Sequence, residues 1–274
     1  MVDPADVDAF RAFERRGWEA LPGRYAAAFA ALTSQAVDAL LDAADVRRGR
    51  DVLDVATGPG HVAAAARDRG ARVIGLDFAP SMVAEARRAH PGIEFREGDA
   101  EALPFPDASF HAVVNNFGLL HLGRPERALT EASRVLRPGG RVAFTTWAGP
   151  DEAVAFGIVH AAIDRYGRRD VPLPVGPPFF RFSDPEECRR VLRAAGFVEP
   201  EVARVPQTWR LPAAETLYEI MAESTVRTAA LLRAQTAEAR EAIRTAVGAA
   251  ASRHRRGAGI ELPMPAVLAS ARKP

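Results

Sequence analysis

Between Asp51 and Trp147 the chain alternates short apolar runs with longer amphipathic stretches. The apolar runs include DVLDVA, RVIGLD, FHAVVNNF and RVAFTTW, and helical three- and four-residue spacing is found in SMVAEARRAH and ERALTEASRVLR. Neighbouring parallel strands need long crossover connections, which the amphipathic stretches can supply. The pattern therefore predicts a doubly wound, Rossmann-like α/β sheet.

Outside this core, the same patterns predict helices before it and a cap and further helices after it. The apolar stripe that precedes the core is broken by LPG at 21–23. VPLPVGPPFFRF predicts an ordered loop, Ser183 is the expected N-cap of a later helix, and EVARVPQTWRL and IELPMPAVLASARK each predict a strand. We expect one domain, made of N-terminal helices over 1–48, the core over 49–148, a cap loop over 149–183, a core helix and strand over 184–212, a helical insertion over 213–257, and a last strand and tail over 258–274.

The amino-acid composition favours a small molecule as the binding partner. The 36 basic and 35 acidic residues are spread along the chain and give a net charge of +1, so no extended field favours nucleic acid or an anionic membrane. The single cysteine, Cys188, excludes an intrachain disulfide and a multi-cysteine metal site, and no histidine spacing indicates a metal, so we predict none. No apolar run approaches the ~18 residues of a membrane span, and the acidic start of the chain is unlike a secretion signal, which predicts a cytoplasmic protein.

The turn after the first predicted strand, ATGPGHVA, lies where an open α/β sheet usually binds its ligand. The motif G-x-G-x-x-A at 58–63 formally satisfies a dinucleotide fingerprint, with Asp77 at the end of the next strand. Asp54 favours another ligand, because a carboxylate before the turn repels a pyrophosphate but attracts an ammonium group. Asp99 follows the third strand, where it could bind the amino group of adenine. An adenosine with a cationic tail satisfies all three aspartates.

Four motifs in this order resemble the class I S-adenosylmethionine-dependent methyltransferases. VLDVATGPGHVA is similar to the family's first motif, VIGLDFAPSMV to its second strand and helix, GDAEALPFPDASF to its adenine loop, and LRPGGRVAFTTW to the turn into its fifth strand. The chain resembles the branch (methyltransferase type 11) that includes the ubiquinone and menaquinone C-methyltransferases and many small-molecule methyltransferases. The resemblance covers 49–148 and implies a seven-stranded sheet, mostly parallel with its last strand antiparallel. It also implies S-adenosylmethionine as the cofactor and S-adenosylhomocysteine as its product.

The resemblance further implies roles for residues at the strand ends. Asp77 would bind both ribose hydroxyls, Asp99 the adenine amino group, and Asn115 or Asn116 would offer a carbonyl to the methionine ammonium. The cofactor-binding set carried over in this way is Asp54 and the turn residues Ala56, Thr57, Gly58 and Gly60 for the methionine part, Asp77 for the ribose, Phe78, Met82, Asp99 and Ala100 for the adenosine, and Asn115 and Asn116 for the ammonium.

Methyl transfer requires mainly alignment and exclusion of water, so a strongly marked catalytic constellation is not expected. A base helps where the acceptor is a hydroxyl or an acidic carbon, and His121, after the fourth strand, is the first candidate, with packing beneath the cofactor as its alternative role. Tyr25 is the second catalytic candidate, because its polar tip could reach the methionine end. For Tyr25, and more strongly for Trp18, an ordinary packing stripe is the alternative.

The acceptor is expected to be a small, apolar, ring-containing metabolite. The long segments after the core differ from a compact quinone enzyme, which favours O-, N- or C-methylation of the natural-product type. Candidate residues of an acceptor pocket are Phe179, Phe180, Phe182, Tyr218 and Met221, with anchoring of the cap as the alternative role of the phenylalanines. A homodimer stays open, because the helices of 213–257 carry enough apolar residues for an interface.

Two other functions stay open at this point. An NAD(P)-dependent oxidoreductase would need a pair such as Tyr-x-x-x-Lys, whereas Lys273 is the only lysine of the chain. A fold-retaining protein that binds the cofactor could have a recruited, non-methylating role, although all three aspartates are present. NNFG at the fourth strand, where a nucleic-acid methyltransferase would have an Asn-Pro-Pro-Tyr-like tetrapeptide, disfavours that class.

Overall fold

The structure, a computed structural model, describes residues 4–274, so the first three residues of the predicted 1–48 segment lie outside it. Its α-helices are α1 (Pro4–Glu19), α2 (Pro22–Thr33), α3 (Val37–Ala43), α4 (His61–Asp68), α5 (Pro80–Ala89), α6 (Pro125–Val135), α7 (Val154–Tyr166), α8 (Pro185–Ala194), α9 (Glu215–Glu223), α10 (Arg227–Arg233) and α11 (Ala237–Ala251). Its strands are β1 (Asp51–Val55), β2 (Arg72–Asp77), β3 (Glu94–Glu97), β4 (Phe110–Asn116), β5 (Leu136–Trp147), β6 (Val198–Val205), β7 (Thr208–Leu211), β8 (Arg255–Arg256), β9 (Gly259–Pro263) and β10 (Ala266–Arg272).

Seven strands form the main sheet in the order β3-β2-β1-β4-β5-β10-β6. The pairings of β1 with β2 and β4, of β2 with β3 and of β4 with β5 are parallel, whereas β10 runs antiparallel to both β5 and β6. The predicted fold class, a mostly parallel doubly wound sheet with an antiparallel last strand, is therefore confirmed. The winding reverses between β1 and β4, so the carboxyl ends of these two strands border the crevice where such sheets bind ligands.

The glycine turn between β1 and α4 follows from its backbone angles. Gly58 has φ +52° and Gly60 has φ +86°, both in the left-handed region that favours glycine. A Cβ at Gly60 would come within 2.8 Å of the Phe95 ring and 2.9 Å of the His90 ring, whereas one at Gly58 would meet no described atom within 4 Å. Packing thus explains why residue 60 is a glycine, and the open space beside Gly58 leaves room for a ligand.

The two N-terminal helices lie over this edge of the sheet. The interruption predicted at 21–23 is present, since α1 ends at Glu19 and Pro22 begins α2. Both helices pack against α5, and ion pairs hold α1 to the end of β3 and the loop after it, including Arg15 with Glu97, the last residue of β3, at 2.7 Å. Helices α1 and α2 therefore cover the carboxyl ends of the strands.

Four local expectations were wrong or incomplete. The predicted cap loop at 149–183 contains α7, whose buried apolar residues pack against α11. The single strand expected in EVARVPQTWRL is two strands, β6 in the main sheet and β7 in a small sheet of order β7-β9-β8. The last strand is likewise divided into β9 and β10 by two prolines. The N-cap of α8 is Asp184, whose carboxylate accepts a hydrogen bond from the Glu186 N–H, and not Ser183.

Candidate active site

A cavity opens at the carboxyl ends of β1, β2 and β4, beneath α1 and α2. Most residues that the sequence singled out for the site meet in its wall. These are Tyr25, Ala56, Gly58, Asp77, Phe78, Met82, Asp99, Ala100, Asn116 and His121. Four of the predicted residues do not line the cavity but lie behind its wall and support its shape. These are Asp54, Thr57, Gly60 and Asn115.

Asp77 ends β2 and faces Gly58 across the turn. Its Oδ2 accepts a hydrogen bond from the Gly58 N–H at 2.9 Å, and its Oδ1 accepts one from the Ala79 N–H at 3.0 Å. Burial raises the pKa of Asp77 to about 6, although these backbone donors and the nearby His121 oppose the rise. Each carboxylate oxygen can accept a second hydrogen bond, so Asp77 has capacity for two hydroxyl donors.

Asp54 lies beneath the turn. Its Oδ2 accepts hydrogen bonds from the Thr57 hydroxyl at 2.5 Å and from the Ala63 N–H at 3.1 Å. Burial raises the pKa of Asp54 to about 7, and its Oδ1 is buried with no hydrogen-bond partner among the described residues. An unpartnered buried carboxylate oxygen can accept a further donor, such as a water molecule or an ammonium group at the turn.

Asp99 and Ala100 form the far end of the cavity, after β3. The Glu101 N–H donates to Asp99 Oδ1 at 2.8 Å, and Arg11 of α1 donates to Oδ2 and lies 3.4 Å from a Glu101 carboxylate oxygen. The carboxylate of Asp99 is thus shared with Arg11, a neighbour that the sequence did not indicate. An amino group that binds Asp99 would share Oδ2 with Arg11 or displace it.

The two asparagines at the end of β4 differ in their placement. The Asn115 side chain donates to the Val55 carbonyl at 2.9 Å and accepts from the Gly118 and Leu119 N–H groups at 3.0 and 2.8 Å. It therefore stabilises the turn that follows β4. Asn116 lines the cavity, although its amide oxygen already accepts the Thr145 hydroxyl at 2.5 Å. Of the two alternatives, the geometry favours Asn116.

These features fit S-adenosylmethionine. A Cβ at Gly58 would project into open space in the cavity wall, Asp77 has free acceptor capacity for ribose hydroxyls, and Asp54 has an unpartnered oxygen near the turn. Phe78 and Met82 supply apolar surface between Asp77 and Asp99. A carboxylate at Asp54 also disfavours a pyrophosphate, which weakens the dinucleotide alternative.

A second cavity shares four of its lining residues with the first. The shared wall, by which we mean these four side chains, consists of Trp18, Tyr25, Phe117 and His121. Phe29, Trp147, Phe156 and Phe179 add aromatic surface, and residues 224–228, from the end of α9 to the start of α10, complete the lining. The second cavity is therefore an aromatic chamber beside the first.

His121 stands in the shared wall with one ring nitrogen engaged. Its Nδ1 lies 3.0 Å from Glu14 Oε2, and its ring contacts Trp18 edge to face at 4.8 Å. Glu14 is fully buried, and the Trp18 indole N–H donates to the same Oε2 at 3.1 Å. The sequence did not single out Glu14, although its place on an apolar helix face was a usable signal.

Tyr25 also lies in the shared wall. It stacks on Phe29 with ring centroids 5.6 Å apart and meets the Trp18 ring edge to face at 5.2 Å. Burial raises the pKa of Tyr25 to about 12, more than the Thr33 hydroxyl lowers it, and Asp77 raises it further. The phenol therefore keeps its proton at neutral pH and can donate a hydrogen bond.

The residues predicted for an acceptor pocket divide into lining and packing residues. Phe179 lines the second cavity, whereas Phe182, Tyr218 and Met221 are buried in the core and Phe180 packs against it. The lining residues that the sequence did not indicate include Phe117, Trp147 and Phe156. Phe117 had a signal, because FG directly after the strand end NN places it at the binding edge.

Two classes of feature are absent from residues 4–274. No group of three or more His, Cys, Asp or Glu side chains there is arranged to hold a metal ion. Among the helices of this part of the chain, none is long and apolar enough to cross a membrane.

Comparison with known proteins places the chain in a family. A family model described as "Methyltransferase domain" matches residues 53–144. The demethylmenaquinone methyltransferase of a Thermus thermophilus strain is 38% identical over 182 residues, which cover 60% of this chain and 79% of that protein. Matches to other proteins of that name, from Renibacterium salmoninarum and Beutenbergia cavernae, span about half the length of the relative, 54% and 47%.

Solved structures share the fold. The [4+2]-cyclase SpnF superposes with a TM-score of 0.51 at 25% identity, over 88% of this chain and 80% of that chain. The Haemonchus contortus phosphoethanolamine N-methyltransferase 2, solved with phosphomonomethylethanolamine and S-adenosylhomocysteine, superposes with a TM-score of 0.52 at 20% identity, over 87% of this chain and 52% of that chain. None of these relatives supports an oxidoreductase. The chain belongs to the S-adenosylmethionine-dependent methyltransferases of class I, in the branch that includes the quinone-biosynthesis C-methyltransferases.

Proposed function

We propose that this methyltransferase methylates a small, apolar, ring-containing molecule that binds in the second cavity. The shared wall is the observation that carries the proposal, because four side chains border both cavities. An acceptor ring in the second cavity would then lie beside a methyl donor held in the first. Close approach and alignment are what methyl transfer mainly requires of an enzyme.

The lining of the second cavity supports an aromatic or polycyclic acceptor. Trp147 stacks on Phe117 with ring centroids 4.1 Å apart, and Phe156 meets Phe179 edge to face at 5.2 Å. Aromatic surfaces favour ring-bearing ligands through offset stacking and edge-to-face contacts, worth about 0.5–1.5 kcal/mol per pair beyond the burial of area. Thr225 and Thr228 add hydroxyls for a polar substituent.

In the proposed reaction, the chain aligns the reactants and keeps water out. When bound, S-adenosylmethionine supplies an electrophilic methyl group on a sulfonium. Asp77 and the turn at Gly58 would hold the nucleoside, while Trp18 and Phe117 would exclude water from the space between the cavities. Tyr25 would act as a hydrogen-bond donor, and His121 would act as the base where the acceptor must lose a proton.

For the acceptor class, the names of the curated relatives favour a quinone precursor. Proteins named demethylmenaquinone methyltransferase match this chain at 38–49% identity. A natural-product ring of similar size is the second candidate, supported by residues 224–228, which complete the lining of the cavity. Either acceptor would place an apolar ring next to the shared wall. A cytoplasmic location and a possible homodimer stay predictions from the sequence.

Calorimetry tests the first half of the proposal. The purified protein is titrated with S-adenosylhomocysteine and, separately, with NADH; Asp77→Ala is the test variant, and Asp151→Ala, at an exposed aspartate, is its matched control. We expect the first ligand to bind the wild type and the control but not Asp77→Ala. Binding of NADH alone would overturn the proposal.

A transfer assay tests the second half. The reduced form of a short-chain demethylmenaquinone analogue is incubated with methyl-labelled S-adenosylmethionine, alongside a panel of phenols and amines. Release of S-adenosylhomocysteine in step with a labelled probe supports an apolar ring acceptor. Transfer confined to hydrophilic amines, with no ring compound methylated, would contradict it.

A further inference from the structure

The strongest unassigned feature is a buried cluster of polar groups behind the shared wall. Glu14 has no exposed surface, and it lies on the inward face of α1 one turn before Trp18. Arg227, at the start of α10, approaches Glu14 Oε1 with its Nε at 3.9 Å. His121 completes the cluster from the loop after β4.

The arrangement of donors and acceptors fixes the proton on the imidazole. Glu14 Oε2 accepts the Trp18 indole N–H, which is only ever a donor, and it lies 3.0 Å from His121 Nδ1. A carboxylate only accepts hydrogen bonds, so Nδ1 must carry the proton of this contact. No hydrogen bond among residues 4–274 uses the other ring nitrogen, Nε2, so in the neutral imidazole Nε2 carries the free lone pair.

A positively charged side chain, Arg227, lies beside Glu14. The Arg227 guanidinium packs over the rings of Phe10 and Phe179, at 5.1 and 5.6 Å from their centroids. Burial lowers the pKa of Arg227, and Glu14 opposes that change. A buried carboxylate without a compensating charge would be costly, and Arg227 provides that compensation.

Packing alone does not account for this cluster. Glu14 Oε1 and Arg227 Nη1 are both buried without a hydrogen-bond partner among the described residues. Leaving buried polar atoms unpaired costs free energy. An apolar side chain at position 14 would fill the space without that cost, so the carboxylate indicates a role other than filling it.

We propose that Glu14 is a positioning residue that holds His121 in the Nδ1–H tautomer, so that Nε2 can take a proton from a hydroxyl group on the acceptor ring. The inference rests on the proposed function and narrows the acceptor to phenols and hydroquinones. As the hydroxyl proton moves to Nε2, the acceptor's electron pair forms the new bond to the methyl carbon, at the oxygen or at a ring carbon conjugated with it. The C–S bond breaks with its electron pair on sulfur, which gives a neutral thioether. Where the new bond forms at a ring carbon, the proton on that carbon then leaves to water.

Three variants separate this role from a structural one. Glu14→Leu removes the acceptor of the Nδ1 proton, Glu14→Gln keeps an amide oxygen that can still accept it, and Glu19→Gln is the matched control at an exposed carboxylate of the same helix. The first readout is the ¹⁵N spectrum of His121 in the protein without cofactor. We expect Nδ1–H in the wild type, in Glu14→Gln and in Glu19→Gln, and loss of that preference in Glu14→Leu.

The second readout is steady-state kinetics with the best hydroxylated ring from the transfer panel. We expect kcat to fall about 10²-fold in Glu14→Leu and about 10-fold in Glu14→Gln, with the acceptor KM changed less than threefold, because proton transfer by a positioned base typically contributes ~10²–10⁴-fold. A nitrophenol probe, already ionised in solution, should show a much smaller loss. S-adenosylhomocysteine affinity should stay within twofold in all three variants.

The outcomes distinguish the inference from the proposed function. If the wild-type His121 carries its proton on Nε2, or if Glu14→Leu loses no more kcat than Glu19→Gln, the role of Glu14 is refuted while the methyltransferase function stands. If the wild type binds no S-adenosylhomocysteine, the proposed function fails, and the spectrum still decides whether Glu14 orients His121.

Discussion

The two cavities are built by different means, although they meet at one wall. The first is built mainly from strand ends, the adjoining loops and a glycine turn, and its expected ligand contacts are carboxylates and backbone groups at the carboxyl ends of β1, β2 and β3. The second shares Phe117 and Trp147 with the ends of β4 and β5, but most of its lining comes from α1, α2, α7, the cap and the region where α9 joins α10, and it is mostly aromatic. The proposed cofactor site is therefore mainly part of the sheet, whereas the proposed acceptor site depends mainly on the elements added around it.

This difference predicts that substitutions in the two cavities will affect binding separately. The largest effect belongs to the first cavity. Asp77→Ala removes both acceptor oxygens that face the ribose position, and two charge-assisted hydrogen bonds at ~1.5–3 kcal/mol each imply a loss of affinity for S-adenosylhomocysteine of at least about 10²-fold. Calorimetry measures it, with Asp151→Ala as the control. An affinity within threefold of the wild type would mean that Asp77 does not hold the ligand.

The second cavity should give the converse result. Phe179→Ala removes part of the aromatic lining of the second cavity, at a residue that does not itself line the first, and we expect the acceptor KM to rise about 10-fold, the effect of burying one aromatic surface less completely. S-adenosylhomocysteine affinity should be unchanged. Phe180→Ala, at a neighbouring ring that does not line either cavity, is the matched control. Equal effects of both variants on KM would show that the cap only supports the fold.

The pH dependence of binding further separates the two cavities. Asp77, whose pKa is raised, lines the first cavity, whereas none of the residues that line the second is acidic. Asp77 accepts hydrogen bonds best when ionised, and its pKa is raised to about 6. Affinity for S-adenosylhomocysteine should therefore be constant above pH 7 and fall several-fold between pH 6 and pH 5 in the wild type. Isothermal titrations across this range measure it. Apart from its large loss of affinity, Asp77→Asn should lack this fall, and an unchanged pH profile in that variant would assign the titration to another group.

The last expected effect concerns stability and not binding. Burial raises the pKa of Asp54 to about 7, so between the unfolded value near 3.8 and pH 7 the folded state binds more protons than the unfolded state. Stability from this group is present below pH 4 and is lost as the pH rises through 7. Asp54→Asn should therefore flatten the fall in unfolding free energy between pH 4 and pH 7, measured by urea denaturation. A steeper fall in the variant would contradict the assignment.

The same difference explains which parts of the molecule the sequence could predict. Asp54 lies near the end of β1, Asp77 ends β2 and Asp99 follows β3, so their spacing identified the binding edge, and the glycines at 58 and 60 marked the turn. Arg11 and Glu14 reach the site from a helix more than 80 residues away from Asp99 in the chain, and only packing brings them there. The helix α7 was missed because Pro- and Phe-rich sequence after it dominated the pattern of 149–183. The split of the last strands depended on tertiary pairing, which assigned β7 and β9 to a separate sheet.

The central claim is that the methyl group of a bound donor lies at the shared wall, facing the aromatic chamber. Isotope-filtered nuclear Overhauser spectra of the protein with ¹³C-methyl S-adenosylmethionine test it without any knowledge of the acceptor. The account predicts contacts from the labelled methyl protons to ring protons of Tyr25, Phe117 or His121. Contacts confined to residues outside the shared wall would contradict it.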